Sequence, residues 1–146
     1  MIDSFSGENR FLSNFYDAPV LLDGVLYPTT EHAYQAAKCL DDAERGRMLA
    51  ANLTPGQCKR WGRSVKIRED WEQVKIPIMY MLLRQKFKPG SVLAAKLLAT
   101  YPQELVEGNT WSDTFWGVCK GVGKNHLGDL LEKIRFDLWA LHTLKG

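Results

Sequence analysis

Three residues in this sequence share one helix face, Glu31, Gln35 and Lys38, and two of them, Glu31 and Lys38, have the types for acid–base or nucleophilic chemistry. They belong to the run Tyr27-Pro28-Thr29-Thr30-Glu31-His32-Ala33-Tyr34-Gln35-Ala36-Ala37-Lys38. A step of about 100° per residue aligns them, with Tyr34 at the edge of the same face. That face offers a carboxyl for proton transfer, an amide, a phenol and an amine able to attack an electrophilic carbon. Ala33, Ala36, Ala37 and Leu40 fall on the opposite face, small and apolar, suited to close packing. The Glu31 and Lys38 α-carbons stand about 10 Å apart on a helix, close enough for two long side chains to converge on one ligand atom. On pattern alone such a helix is amphipathic with its polar face in water, since periodicity reports burial and not chemistry.

A second stretch runs Gly108-Asn109-Thr110-Trp111-Ser112-Asp113-Thr114-Phe115-Trp116-Gly117 and continues through Gly121, Gly123, Lys124 and Asn125. Trp111, Phe115 and Trp116 lie within six residues of a polar loop, and either fill the core or stack on a flat ligand. Asp113 sits between them. Gly121, Gly123 and Lys124 lead into a helix start, where backbone N–H groups, a cation and the helix dipole can hold an anion. The same glycines can equally mark a tight turn. A third stretch, Asn9-Arg10-Phe11-Leu12-Ser13-Asn14-Phe15-Tyr16, supplies Asn14, whose amide can read a base edge or a ribose hydroxyl.

The elements that position these residues are legible from local signals. Asp23-Gly24 between Val20-Leu21-Leu22 and Val25-Leu26-Tyr27 predicts a hairpin with a type I′ turn. The threonines at 29 and 30 offer an N-cap for the helix bearing Glu31. Asp41 or Asp42 caps a second helix to about Asn52. Thr54-Pro55-Gly56-Gln57 reads as a capping box with proline in the first turn, and Gly62 as the stop. Asp70-Trp71-Glu72-Gln73 starts a longer helix to about Lys88, which Pro77 should kink or split. Ser91 to Thr100 is another helix, and Glu104 to Glu107 a candidate strand. A last helix begins near Asn125, with Leu127, Leu130, Leu131, Ile134, Leu138 and Leu141 at core spacing. The class is mainly helical α+β, with helices around a small antiparallel sheet, in a single domain over residues 1–146.

Bulk properties narrow the function. The chain has 146 residues, 45% hydrophobic and 25% charged, which are globular values for one domain. A net charge of +2 disfavours a structural nucleic-acid binder, though local basic residues can still hold one phosphate. The cysteines are three, Cys39, Cys58 and Cys119, with no CxxC pair, so the expectation is buried free thiols in a reducing cytoplasm and no metal site. The first residues lack a signal pattern, and no apolar run is long enough for a membrane span.

The order L-S-N-F, then Y-P-T-T-E-H-A-Y-Q-A-A-K, then D-W-E-x-V-K, then D-x-x-W-G-x-x-x-G-x-G-K-N-x-L-G resembles the NADAR domain family, which includes YbiA-like N-glycosidases. The resemblance spans about Phe5 to Leu138 in four ordered segments. It implies cleavage of an N-glycosidic bond between a (phospho)ribose and a nitrogenous base, without metal or redox cofactor. The implied substrates are ribosylamino-pyrimidine phosphates of riboflavin biosynthesis or, alternatively, ADP-ribose on guanine, in nucleotides or nucleic acid. A third reading is a non-catalytic module that binds ADP-ribose or an NAD derivative. Retention of Glu31, Lys38 and Asp113 together argues against that module, because binding alone does not need the set.

Position by position, the resemblance assigns Glu31 as the essential acid, Lys38 as a candidate Schiff-base amine, and Asp113 as a second catalytic carboxyl. It matches Asn14, Trp71, Trp116, Lys124 and Asn125 to family positions, and Tyr34, Gln35, Trp111 and Gly117 join them as candidates for substrate binding. Trp71 also has a packing role open to it after its helix cap. Arg10 is the weaker phosphate candidate beside Lys124. His32 and His126 read as helix-surface or supporting residues. Where many members are glycine-rich after W-G, this chain has Val118-Cys119-Lys120, in a loop that would set the leaving base. Two routes fit an oxocarbenium-like centre at C1′. Either Glu31 or Asp113 activates water while the other carboxyl assists the base, or Lys38 forms an imine that water hydrolyses. The second route needs a neutral lysine, which burial favours and a neighbouring Glu31 opposes.

Overall fold

Asp23 and Gly24 both adopt positive φ, 49° and 78°, as a type I′ turn requires. They join strand β1 (Val20–Leu22) to β2 (Val25–Tyr27), antiparallel with Val20 opposite Tyr27. A computed structural model describes residues 1–145. It divides into two compact units, one of residues 14–86 and one of residues 1–13 with those from Phe87 on.

In the first unit, the hairpin is followed by four helices: α1 (Thr30–Ala37), α2 (Asp42–Ala50), α3 (Pro55–Gly62) and α4 (Trp71–Lys86). The first three starts follow local caps, whereas before α4 the Asp70 carboxylate accepts from the Arg68 guanidinium. Thr29 accepts from the His32 N–H, Asp41 from Ala43 and Glu44, and Thr54 and Gln57 form a reciprocal capping box. Helix α1 packs against α3, α4 and the hairpin, and all eight of its residues are buried. The polar face therefore does not lie in water as pattern alone suggests. Leu40 is exposed rather than packed with the alanines, because α1 ends at Ala37 and the helical phase is lost before Leu40.

The C-terminus of α1 is held by charge. Buried Arg45 donates from Nε to the carbonyls of Ala36 and Cys39 (2.8 and 2.7 Å) and from Nη1 to Asp23 at 2.7 Å. The Arg68 N–H donates to the Lys38 carbonyl at 2.7 Å. These bonds satisfy carbonyls that a helix end leaves open, with a cation where the dipole favours one. Helix α4 runs through Pro77 without being split. Pro77 and Gln73 are both exposed, so the carbonyl that loses its N–H partner there faces solvent. Gln85, further along α4, accepts from the Leu21 N–H at 2.7 Å and donates to the Leu21 carbonyl at 2.8 Å, tying α4 to β1.

In the second unit, a 3-10 helix (Gly7–Leu12) precedes α5 (Val92–Leu98), β3 (Gly108–Asn109), β4 (Val118–Cys119) and α6 (His126–Lys145). Strands β3 and β4 pair in parallel, a ladder that local signals did not announce. The expected strand at Glu104 to Glu107 is reduced to a bridge between Leu105 and Ile2, with ladder pairing beginning only at Gly108. Helix α6 buries Leu127, Leu131, Ile134 and Leu138 and packs on α5. Leu141 is exposed instead of core. The 20-residue α6 rises about 30 Å while its seven-residue partner covers about 10 Å, so the far end of the stripe outruns its cover. The class is mainly helical α+β, with one small antiparallel sheet. None of the described helices is long and apolar enough to cross a membrane.

Candidate active site

The residues singled out from the sequence fall into two groups, one in each unit. The first is built on α1. The Glu31 N–H donates to the Asn14 carbonyl at 3.1 Å, which fastens the first turn of the helix to the L-S-N-F segment. His32 is buried, not on a helix surface. Its Nε2 donates to the Leu53 carbonyl at 2.8 Å, since a carbonyl can only accept, and Nδ1 meets the Thr29 hydroxyl at 2.7 Å. His32 thereby ties α1 to the segment before α3 and is not available to a ligand.

Glu31 is only 6% exposed and Gln35 only 3%. Gln35 Nε2 donates to Glu31 Oε1 at 2.8 Å. Three buried polar atoms of this region have no hydrogen-bond partner among the described residues: Asn14 Oδ1, Thr30 Oγ1 and Gln35 Oε1. Such atoms typically cost about 1–3 kcal/mol each. Native proteins carry few of them, and three on or beside one short helix is a concentration that packing does not call for. The Tyr34 and Trp71 rings lie 5.1 Å apart at 52°, and Lys38 Nζ sits 5.8 Å from the Tyr34 ring centre. Lys38 is half-buried, and its pKa is lowered. Desolvation is the main cause, Glu31 opposes it, and Lys59 and Arg63 add to it. The contest foreseen from the sequence is won by burial.

The second group is built on the 107–126 loop. Asp113 Oδ1 accepts from the Phe115 and Trp116 N–H groups at 3.1 and 2.9 Å. Asn109 grips the Asp113 backbone from the other side, accepting its N–H at 3.1 Å and donating to its carbonyl at 2.9 Å. The same Asn109 amide donates to Glu107 Oε2 at 2.9 Å. Phe115 meets Trp116 edge-on at 4.9 Å and the His126 ring at 4.5 Å. A Cβ on Gly117 would overlap both the carboxylate and the carbonyl of Glu107, so only glycine fits there. Trp111 is exposed rather than core.

Two expectations for this loop need correction. The N–H groups of Lys124, Asn125, His126 and Leu127 donate to the carbonyls of Thr114, Gly117, Phe115 and Trp116, so the start of α6 does not present them to a phosphate. Asn125 turns its amide to the chain: Oδ1 accepts from the Glu107 N–H and Nδ2 donates to the Leu105 carbonyl, each at 2.9 Å. Lys124 is exposed. Among the described residues, no group of three or more His, Cys, Asp or Glu side chains converges to hold a metal. Cys39, Cys58 and Cys119 are all free and buried, and burial pushes the Cys58 thiol up to about 12, which makes it a poor nucleophile.

Several residues were not found from the sequence. Thr30 stands next to Glu31, where the sequence suggests only a cap. Glu107 and Asn109 brace the Asp113 turn by contacts that spacing does not reveal. Lys86 is 4% exposed, with burial pushing its amine down to about 7. A signal for it existed, since Lys86 continues the buried stripe Met79, Leu82, Leu83 at helical spacing.

A sequence model of the NADAR domain matches residues 4–139. The N-glycosidase YbiA of Escherichia coli is 43% identical over 92% of this chain and 85% of its own. A riboflavin biosynthesis protein of Vibrio vulnificus is 36% identical over 88% of this chain and 35% of its own. An NMR structure of Escherichia coli YbiA superposes with a TM-score of 0.82 and 38% identity, covering 100% of this chain and 90% of that one.

Proposed function

The chain belongs to the NADAR domain family and is an N-glycosidase like the relatives it matches, and we propose that it hydrolyses the bond between a phosphorylated ribose and the base of a ribosylamino-pyrimidine. The substrate class is a ribosylated small molecule. A net charge of +2 favours such a substrate over a polymer, which usually draws on a larger basic surface. The family match runs through both units, which supports reading them as one domain.

The observation that carries this reading is the buried polar helix. Glu31 and Gln35 are withdrawn from bulk water on α1, with half-buried Lys38 at its C-terminal end, beside three buried polar atoms without partners among the described residues. Stability alone would favour apolar side chains at those places, and a site for chemistry accounts for the cost.

Cleavage of an N-ribosyl bond develops positive charge at C1′ and negative charge on the departing base. In this proposal Glu31 moves the proton and steadies the charge at C1′, in surroundings that exclude bulk water. Lys38 adds to C1′ of the opened sugar as the C1′–N bond to the base breaks, Glu31 passes the proton released by the amine to the departing base, and water then hydrolyses the resulting imine, freeing the sugar and the amine. The lowered pKa of Lys38 supplies neutral amine at a lower pH than an ordinary lysine does. Tyr34 and Trp71, both buried and packed on each other at 5.1 Å, form an aromatic wall beside Lys38 against which the base or ribose is proposed to lie. Asp113 and Trp116 enter by their match to the D-x-x-W-G motif, on a turn that fixes both backbones.

A substrate panel tests the reading. Incubation with a ribosylamino-pyrimidine phosphate should release free base. Release only from an ADP-ribosylated guanosine nucleotide would move the substrate to the alternative class. Tight binding of ADP-ribose with no release from any substrate would overturn catalysis in favour of a binding module.

A further inference from the structure

Gly62 closes helix α3, where glycine is usually read as a stop signal. Its φ does not lie in the left-handed region, so the backbone there would accept any residue. What bars a side chain is Gln35. A Cβ built on Gly62 would overlap the Gln35 amide oxygen and approach its Cδ to 2.9 Å, and the three nearest atoms all belong to Gln35.

The orientation of that amide is dictated from its other end. Only Nε2 can face a carboxylate, so the 2.8 Å bond to Glu31 turns Oε1 toward Gly62, where it is buried without a partner. Helices α1 and α3 are in contact here. A position needed only for packing would hold an apolar side chain of the same volume. Instead the chain keeps an amide with one bond made and one acceptor orphaned, and leaves a residue without a side chain opposite it.

We infer that Gln35 and Gly62 form a positioning pair that holds and aims the Glu31 carboxylate, so that Gln35 serves Glu31 rather than the substrate and Gly62 serves Gln35. The inference rests on the reading of Glu31 as the acid–base residue. The Lys38 amine at the end of α1 and the Cys58 thiol of α3 also act on Glu31, and both stay in place in the variants below; a donated hydrogen bond favours the charged form of a carboxyl group, so loss of the pair should raise the proton affinity of Glu31.

The test measures kcat/KM against pH on a ribosylamino-pyrimidine phosphate, with melting temperature, for Gln35→Met, Gly62→Ala, Gln35→Ala and the Gln35→Ala/Gly62→Ala double variant. Gln35→Met keeps the volume and removes the donor. It should cost roughly ten-fold or more in rate and move the limb of the profile that belongs to Glu31 up by about one pH unit. Gly62→Ala should reproduce that shift. The double variant should behave as Gln35→Ala alone, because the alanine then meets no amide. A wild-type profile in either Gln35→Met or Gly62→Ala overturns the inference, as does a Gly62→Ala penalty that persists undiminished in the double variant. If Gly62→Ala alone does not fold, a double variant that folds with the activity of Gln35→Ala supports the pair, and one that also fails to fold overturns it. Glu31→Gln is measured alongside. Full activity there removes Glu31 from the reaction and the pair with it. An inactive Glu31→Gln beside unshifted Gln35→Met and Gly62→Ala removes the pair alone.

Discussion

Lys38 holds its amine 5.8 Å from the centre of the Tyr34 ring, one turn back on the same helix. The ring and Glu31 both favour the ammonium form, yet the pKa of Lys38 is lowered, because desolvation outweighs them with help from Lys59 and Arg63. An amine poised in this way can add to an electrophilic carbon. Borohydride added during turnover should trap a stable adduct between the chain and the sugar fragment, located by mass spectrometry at Lys38 and lost in Lys38→Ala. Full activity in Lys38→Ala with no adduct in the wild type would leave a carboxylate-activated water as the route.

The Asp113 carboxylate holds a turn and, as proposed, also takes part in proton transfer, and substitutions separate the two. Its Oδ1 accepts two backbone N–H groups, a function that asparagine can keep. Asp113→Asn should therefore retain the melting temperature within a few degrees while losing roughly 100-fold in rate, the scale of a missing proton-transfer group. Asp113→Ala should lose rate and also about 1–3 kcal/mol of stability, since two donors are left unpaired. An Asp113→Asn variant with full rate would confine Asp113 to holding the turn that carries Trp116.

Lys86 makes stability depend on pH. Its amine falls to about 7 in the folded chain from an ordinary 10.5, through burial. Between those values the unfolded chain binds a proton that the folded chain does not, so stability rises with pH across that window. Below about pH 7 both forms are protonated and the full cost is present. Lys86→Met should be more stable than the wild type by a few kcal/mol, roughly, at pH 6. That advantage should shrink steadily toward pH 10. Denaturant midpoints at several pH values check this, and an offset that does not change with pH would contradict it.

Local signals carried well into three dimensions. Asp23-Gly24 set the hairpin, Thr54 and Gln57 the capping box, and Thr29 the start of α1, because each is decided by a few adjacent backbone groups. Features that depend on distant partners did not. Nothing in the spacing of Glu31, Gln35 and Lys38 says that α1 is buried on every side, because that follows from packing against α3, α4 and the hairpin. Gly62 reads as a helix stop until Gln35 is placed opposite it. Pro77 reads as a break until its surroundings prove to be solvent. The glycines before α6 read as an anion nest until the carbonyls of residues 114–117 are found on the N–H groups. For the candidate site, the residue types were legible from motif and resemblance. The reasons for their state were not: the depressed Lys38 amine, the Gln35 bond to Glu31, and the three unpartnered polar atoms.

The central claim is that Glu31 moves the proton in cleavage of an N-ribosyl bond. It is tested most directly by comparing free-base release from a ribosylamino-pyrimidine phosphate by the wild type and by Glu31→Gln under identical conditions. The substituted amide keeps the shape of the side chain and an oxygen for the Gln35 donor, and removes the negative charge together with the ability to carry the proton. The account predicts rapid release by the wild type and a loss of at least about 100-fold in the variant, with an unchanged melting profile. Near-normal turnover by Glu31→Gln would contradict it.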